Sequence, residues 1–530
     1  MTRIEKIALP AVIFLLFAAC CMHIMVAYVG DKTWLLLAAE MLFQGYRLDV
    51  DVIEVNPPLI IWLYAVAVWI SLHLSFLRDY NVMGLMGLAG AALSVWLSMG
   101  LIRLHPAFSG DRRKQNVFAL LLASLFIFFT SATYFFDREH ILLVFAFPYM
   151  LRFMPSLAQQ ALPLRTRIVI GLCAAFGFCI KPYTVIVFAG LQLLVCLRER
   201  RLAILWSVEN GIIYLMGTVY LFCVWHFTPD YIRFIFPMAL ETYSAFSRRD
   251  IGIFYCILAF ITAGLAFADF RPRHATPYRK DILYFIGVSL VFFVYALANN
   301  GWGYTYHPLL CMLLFLNTWV LWEHIWLKHT HAQRGLPVRQ FVFGARACAI
   351  NLLANAVYIV FCLGSFFMTP TCEWLSECRK NQPYVQYLAE HHIRSFGALT
   401  EDFHKWSSLA RLSGASLDTR YNALWMVPGL VMKGKQFVAD HHWIVEYAGL
   451  GLADDLNRRR PEIVFVDDSK RFFGSSLDVS LPGFFLQVPQ FGEAWSHYRY
   501  TATIDRCVPA TPKEQAVTVG CKYDIYSRVP

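Results

Sequence analysis

Charged side chains make up only 15% of the 530 residues, against 58% that are hydrophobic. So little charge excludes an ordinary water-soluble chain of this length, which would need several domains with polar surfaces. The usual motifs of soluble enzymes are missing as well. No Gly-rich loop ends in GKS or GKT, so a P-loop nucleotide site is excluded. There is no HExxH helix for a zinc protease and no G-x-S-x-G turn for an α/β-hydrolase nucleophile. Neither an internal repeat nor a low-complexity tract occurs, which removes solenoids and disordered scaffolds from consideration.

What is present is a series of apolar runs of about twenty residues, the length that crosses the hydrocarbon of a bilayer. They fall near 7–29, 81–102, 116–136, 139–155, 168–180, 183–198, 203–226, 251–269, 281–298, 307–327 and 342–368. The chain therefore reads as a mainly α, polytopic helical membrane protein with about eleven spans and additional juxtamembrane helices. The opening MTRIEK and the run after it have no small-residue cleavage site before Gly30, so this segment reads as a retained first span. One further run, Leu59 to Leu77, decides the orientation of everything after it. If it does not cross, Arg103, Arg112, Arg113, Arg152, Arg165, Arg167 and Arg198 all fall in cytoplasmic loops, as the positive-inside bias requires. Residues 59–77, with Trp62, Tyr64, Trp69 and His73, are accordingly expected to lie in the outer interface. The net charge of +10 is explained by these loops and does not call for nucleic acid. The expected location is a plasma (inner) membrane of bacterial type, with the N-terminus cytoplasmic and the C-terminal region periplasmic or extracellular.

From about Thr369 the twenty-residue periodicity stops. The expected organisation is a transmembrane module over 1–368, containing a first outer loop at 30–80, followed by a small extracytoplasmic α/β domain over 369–530. In that tail LADDLNRRR reads as helix and IVFV after Pro461 as a short buried strand, an αβ unit. Cys372, Cys378, Cys507 and Cys521 lie outside the apolar runs and suit disulfides in an oxidising compartment, with three pairings open to them. The pairs His391-His392 and His441-His442 are adjacent, not at the spacing of a helical metal site, and read as surface residues. Asp467-Asp468 resembles a nucleotide-sugar DxD only superficially, because this tail lies on the side away from cytoplasmic nucleotide sugars.

Ionisable residues at the ends of membrane spans are costly and mark candidate sites. The stretch Gly30–Tyr64 carries Asp31, Asp49, Asp51 and Glu54 beside the first span, with Glu54 and Asn56 just before the rigid Pro57-Pro58. Asp49 and Asp51 read equally well as solvated loop acids. Asp137-Arg138-Glu139-His140 sits between two apolar runs; its alternatives are a solvated turn with Arg138 paired to an acid, or an acid with phosphate or sugar binders. Lys181 interrupts an apolar run at Lys181-Pro182, where it either snorkels to the interface or binds a lipid phosphate. The Asn299–Pro308 loop offers Tyr304, Tyr306 and His307, either as an interfacial aromatic belt or as ligands for a phosphate or sugar. Arg248-Arg249-Asp250 reads either as a further anion-binding group or as an interfacial anchor.

Taken in order, these motifs resemble the polytopic GT-C glycosyltransferases, especially the protein O-mannosyltransferase and lipid A aminoarabinose transferase branch. The likeness covers roughly residues 7–325. It rests on Asp31 followed by AAEMLFQGY, Glu54 before Pro57-Pro58 and an aromatic-rich helix, Asp137, the Lys181 break and the Tyr-containing loop. The resemblance implies an inverting transfer from a polyprenyl-phosphate-linked sugar to a glycan, lipid or protein acceptor at the external face, among membrane lipids. It implies catalytic roles for Asp31, Glu54 and Asp137 and donor-phosphate binding by Lys181. Asn56, Glu139, His140, Tyr304 and Tyr306 join the expected substrate-binding set, and Arg138 and His307 are added to it from their chemistry. Asn56 stands where the family often has Lys, and Lys32 where a second acid is common. The second departure leads to the expectation of no essential metal, and no other cofactor is called for. The rival reading is a transporter or flippase, which also uses interrupted spans and buried charge. A third is a non-enzymatic envelope assembly factor that uses the tail to bind a partner.

Overall fold

A computed structural model describes residues 3–25, 30–130, 134–246, 279–299, 303–319, 378–402, 405–468, 471–472, 475–476, 479–505 and 522–529. The expected spans at 251–269 and 342–368, Arg248-Arg249-Asp250, and Cys372, Cys507 and Cys521 lie outside these residues. The chain divides into two compact units. One comprises Met1–Val26, His73–Phe222 and Arg248–Thr371; the other comprises Ala27–Leu72, Cys223–Ser247 and Cys372–Pro530.

The first unit is helical. Its helices include Arg3–Met25, Asp79–Ile102, Arg112–Ala123, Arg138–Arg152, Leu164–Cys179, Thr184–Glu199 and Arg279–Ala298, with a further helix over 307–319. They enclose one apolar core of aromatic and branched side chains, among them Phe126, Phe147, Phe285, Phe315 and Trp319. Apolar helices in lipid gain nothing from hiding from one another, so close backbone approach and interhelical hydrogen bonds hold them together. Ser94 Oγ donates to the Val144 carbonyl at 2.6 Å. Gly84 lies so near His23 that a Cβ there would stand 2.2 Å from its carbonyl oxygen. Buried acids take up basic groups: Glu209 accepts from Arg152 at 3.1 Å and from Arg167 at 2.8 Å. Asp281 receives the Ser156 hydroxyl at 2.5 Å and lies 3.0 Å from His105 Nε2. Two of the arginines counted in the positive-inside argument, Arg152 and Arg167, therefore have a built-in counter-charge.

Among the described residues, Asp79–Ile102, Val208–Phe227 and Lys280–Ala298 are long and apolar enough to cross a bilayer. The runs expected at 139–155, 168–180 and 183–198 form helices of 15, 16 and 16 residues. At about 1.5 Å per residue these are shorter than the roughly 30 Å of a hydrocarbon core. The count of eleven spans is thus not reproduced over the described residues. The run at 116–136 starts as the Arg112–Ala123 helix and widens into a π turn at Ser124–Phe128.

The second unit joins the early loop to the tail. The stretch after Gly30 is not all loop: Asp31–Phe43 is a helix of 13 residues whose TWLLLAAEM segment is mostly buried. A second helix, Pro58–His73, begins directly at the Pro57-Pro58 stop. The tail contributes β1 (Ser395–Leu399), β2 (Ser416–Leu417), β3 (Ile463–Asp467), β4 (Tyr498–Asp505) and β5 (Lys522–Arg528) in a sheet of order β2-β1-β3-β5-β4. The first three are parallel and the last two antiparallel additions. As expected, a helix, His442–Asp454, feeds through Pro461 into β3, every residue of which is buried.

The 47–54 turn is fastened to tail residues in this unit. Arg420 Nη1 donates to the Val50 carbonyl at 3.0 Å, and Ile53 N donates to the Arg420 carbonyl at 2.8 Å. Arg420 is itself held by Asp455 at 3.1 Å and Asp454 at 2.6 Å. Arg459 adds a hydrogen bond to the Asp51 carbonyl and lies 4.6 Å over the Tyr46 ring. No sequence signal announces this fastening, because its members are some 370 residues apart.

Candidate functional site

In the first unit the residues of the Asp137–His140 tetrad take different parts. Asp137 caps the Arg138–Arg152 helix, its Oδ1 accepting from Arg138 N at 2.8 Å and from Arg138 Nε at 3.1 Å. A carboxylate at a helix start is favoured by the exposed amides and the helix dipole. Glu139 points to the Lys181-Pro182 break, which separates the Leu164–Cys179 and Thr184–Glu199 helices. Its Oε1 accepts from Lys181 Nζ at 2.9 Å, Tyr295 Oη at 3.3 Å and Asn299 Nδ2 at 3.4 Å. Its Oε2 is buried with no hydrogen-bond partner among the described residues.

Tyr304 lies under both cations: Lys181 Nζ is 5.1 Å and Arg138 Cζ 5.8 Å from its ring centroid. Aromatic faces attract cations at this range. Asp137, Arg138, Glu139, Lys181 and Tyr304 are therefore one cluster, and the partner the structure gives Lys181 is Glu139. His140 accepts from Phe136 N at Nδ1 and donates to the Phe126 carbonyl from Nε2, so both ring nitrogens brace the turn. His307 lies 3.3 Å from Thr130 Oγ1 and 3.7 Å from Cys311 Sγ, with its ring 6.1 Å from that of His140. Tyr306 is fully buried within the apolar core.

In the second unit Asp31 opens the Asp31–Phe43 helix after Gly30, whose φ of 70° is the left-handed turn a glycine takes without strain. Three residues on, Trp34 donates its indole N–H to Glu54 Oε2. Glu54 is 4% exposed, and its Oε1 accepts from the Asn56 backbone N at 2.7 Å and Asn56 Nδ2 at 2.5 Å. Asn56 thus orients Glu54, and Trp34, absent from the sequence reading, connects it to the helix of Asp31.

The two other acids of this stretch are not equivalent solvated residues. Asp51 pairs with the exposed Arg47 at 3.2 Å. Asp49 is 1% exposed, with neither carboxylate oxygen hydrogen-bonded among the described residues. Burial, reinforced by Glu54 and Asp230, pushes its carboxyl well above the ordinary carboxylate range. The even reading of Asp49 as a solvated acid is corrected here. Its spacing gave no clue, since burial comes from packing with distant residues.

The structure matches the crystal structure of ArnT from Cupriavidus metallidurans in the apo state over 98% of this chain and 96% of that one. The TM-score is 0.51 with 11% sequence identity. The fold is ArnT-like. No family model and no curated protein matches the sequence. At this identity the likeness to ArnT concerns the fold, and the chemistry must be argued from the residues of this chain.

Proposed function

We propose that the protein is a membrane glycosyltransferase that moves a sugar from a polyprenyl-phosphate donor to an acceptor hydroxyl on the external face, with inversion. The observation that carries this reading is the Lys181–Glu139–Tyr304–Arg138 cluster within an ArnT-like fold. Two cations converge on one aromatic ring, and each is also paired with a carboxylate. A phosphate arriving there meets donors already placed and aligned. The fold likeness to a named sugar transferase supports the class; the donor and the individual roles are inferred from chemistry.

In the proposed reaction the acceptor oxygen forms a bond to the anomeric carbon while the bond from that carbon to the phosphate oxygen breaks. The hydroxyl proton passes to a carboxylate, for which Asp31 is the candidate, with Glu54 orienting the acceptor. Electrons leave with the polyprenyl phosphate, whose growing charge Lys181 and Arg138 stabilise. Asp137 fixes the Arg138 guanidinium, and Glu139 holds Lys181 in place until phosphate shares it. Tyr304 supplies the ring under both cations, His307 joins the proposed donor side, Tyr306 is buried in the apolar core, and His140 shapes the turn that carries the pair. Asn56 keeps Glu54 in one rotamer. The domain roles follow: residues 1–368 anchor the chain in the membrane and hold the donor, while 369–530 face the acceptor compartment.

The test is transfer of radiolabelled sugar from a polyprenyl-phosphate donor to an envelope fraction by the purified full chain. Label retained on the lipid with the native protein, under conditions where the donor demonstrably binds, overturns the reading.

A further inference from the structure

The second unit holds a cavity of about 430 Å³ whose lining residues take no part in the proposed transfer. That volume falls within the roughly 300–1,000 Å³ of small-molecule sites. Most of the wall is apolar, with Leu42, Leu48 and Val50 on one chain segment, Trp62 on the Pro58–His73 helix, and Phe227 and Pro229 on another segment. Two charges of opposite sign interrupt it, Arg47 and Asp230.

Both charges keep binding capacity. Arg47 donates from Nε to Asp51 Oδ2 at 3.2 Å, and its side chain is 68% exposed. Its two Nη groups make no hydrogen bond among the described residues, so the outer fork of the guanidinium is open to an oxyanion. Asp230 stands at the start of the Tyr231–Ile235 π turn, a place where an Asp commonly accepts from the first amides. Its side chain makes no such bond here.

The pattern of charge selects the ligand. A phosphate alone would meet Asp230 with nothing to offset it, and an ammonium alone would meet Arg47 in the same way. A bare hydrocarbon chain would bury both groups without partners. A molecule with a phosphate and an ammonium a few atoms apart pairs each charge with its opposite. The setting selects the source. Phe227 is the last residue of Val208–Phe227, a helix long and apolar enough to cross a bilayer, and it is 67% exposed. Phe43 and Trp225, close in sequence to the wall residues Leu42 and Phe227, are also exposed. Exposed aromatic rings at the end of a span mark the depth of lipid headgroups.

We infer that this cavity seats the headgroup of a zwitterionic phospholipid, with its phosphate on Arg47 and its ammonium on Asp230. The apolar wall takes the glycerol and the first methylenes of the chains. The lipid is bound and not consumed, so the inference does not rest on the transferase reading.

The experiment is native mass spectrometry of the delipidated full chain, returned to one lipid at a time. The probes are phosphatidylethanolamine, phosphatidylcholine and phosphatidylglycerol with identical acyl chains, and chain-free glycerophosphoethanolamine. The native protein should retain one zwitterionic lipid about tenfold more strongly than phosphatidylglycerol, the worth of one charge-assisted hydrogen bond. Arg47→Gln, at an exposed position, should weaken that retention by about tenfold. Asp230→Asn leaves Arg47 unopposed and should turn the preference toward phosphatidylglycerol, a change of selectivity that misfolding does not produce. Circular dichroism and monodispersity confirm the fold of each variant. Equal retention of all three lipids by the native chain, or a native preference kept in both folded variants, overturns the inference. Equally tight binding of glycerophosphoethanolamine makes the ligand a soluble one and overturns the lipid assignment. Retention is read without turnover, so a chain that transfers no label can still pass this test, and a transferase can fail it.

Discussion

Lys181 in the first unit meets Glu139 at 2.9 Å, and Tyr295 and Asn299 bring further donors to the same oxygen. Asp49 in the second unit is still more deeply buried, yet has no hydrogen-bond donor among the described residues. A buried charge that is paired and hydrogen-bonded can remain charged; one that is neither takes up a proton instead. The first arrangement suits a group that must present a fixed charge to an incoming anion. The second suits a carboxyl that stays protonated and neutral inside the fold. At Glu54 the direction of the carboxylate is fixed by Trp34 and Asn56.

The hardest blow to this contrast should come from the carboxylate side. Asp31→Asn keeps the side-chain shape and removes the proton acceptor, and transfer should fall by about 10²–10⁴-fold, the usual worth of a general base. Full label transfer by a properly inserted Asp31→Asn protein would remove Asp31 from its role. Next in size is Lys181→Met, which leaves Glu139 buried without its counter-charge. Breaking such a pair costs about 3–5 kcal/mol. The double change Lys181→Met with Glu139→Gln should recover much of that stability while leaving donor binding impaired. Thermal melts read the first quantity and donor affinity the second. Recovery of both would make the pair purely structural.

How much of this was readable from the residue order differs between the two regions. The Lys181 break, the ionisable tetrad and the Glu54-Pro57-Pro58 stop were visible because an ionisable group or a proline interrupts an apolar run locally. The αβ passage from LADDLNRRR to IVFV was visible for the same reason, as a change of period. The pairing of Lys181 with Glu139 was not, since 42 residues separate them and either could have met a lipid. The burial of Asp49 and the Arg420 fastening were hidden more thoroughly, because the groups involved are far apart in sequence, Asp230 acting on Asp49 and Arg420 holding Val50 and Ile53. Span length was not legible for a simpler reason. Apolar composition continues through turns, so runs such as 183–198 outline hydrophobic stretches without showing whether the helix within them reaches 30 Å.

A smaller effect concerns Glu401, just beyond β1 and 6% exposed. Burial, with Asp467 nearby, raises its carboxyl to about 8 from an ordinary 4.5. A carboxyl raised on folding contributes stability that is fully present below the unfolded value and is lost as pH climbs through the folded one. The loss should therefore run from pH 4.5 to about 8. Melting temperature followed over that range should decline in the native chain, and Glu401→Gln should flatten the decline. An unchanged slope in the variant would assign the pH dependence to other groups.

The smallest effect is expected where a pair has the same chemistry as Lys181 and Glu139 but stands in water. Lys522 meets Asp468 at 2.5 Å at the start of β5, with the two side chains 35% and 33% exposed. Their attraction is weakened by solvent and offset by the entropy of holding two mobile side chains together. Lys522→Met should cost only about 0.2–1 kcal/mol at low salt. Most of even that should vanish at about 1 M salt, where screening acts over roughly 3 Å. The Lys181 pair, at 8% and 2% exposure, should keep its contribution under the same salt. Parallel denaturant titrations of the two lysine variants at low and high salt decide the matter. Equal salt sensitivity would mean that water reaches Lys181, and the distinction between a fixed buried charge and an ordinary surface pair would fail at the residue on which the donor site depends.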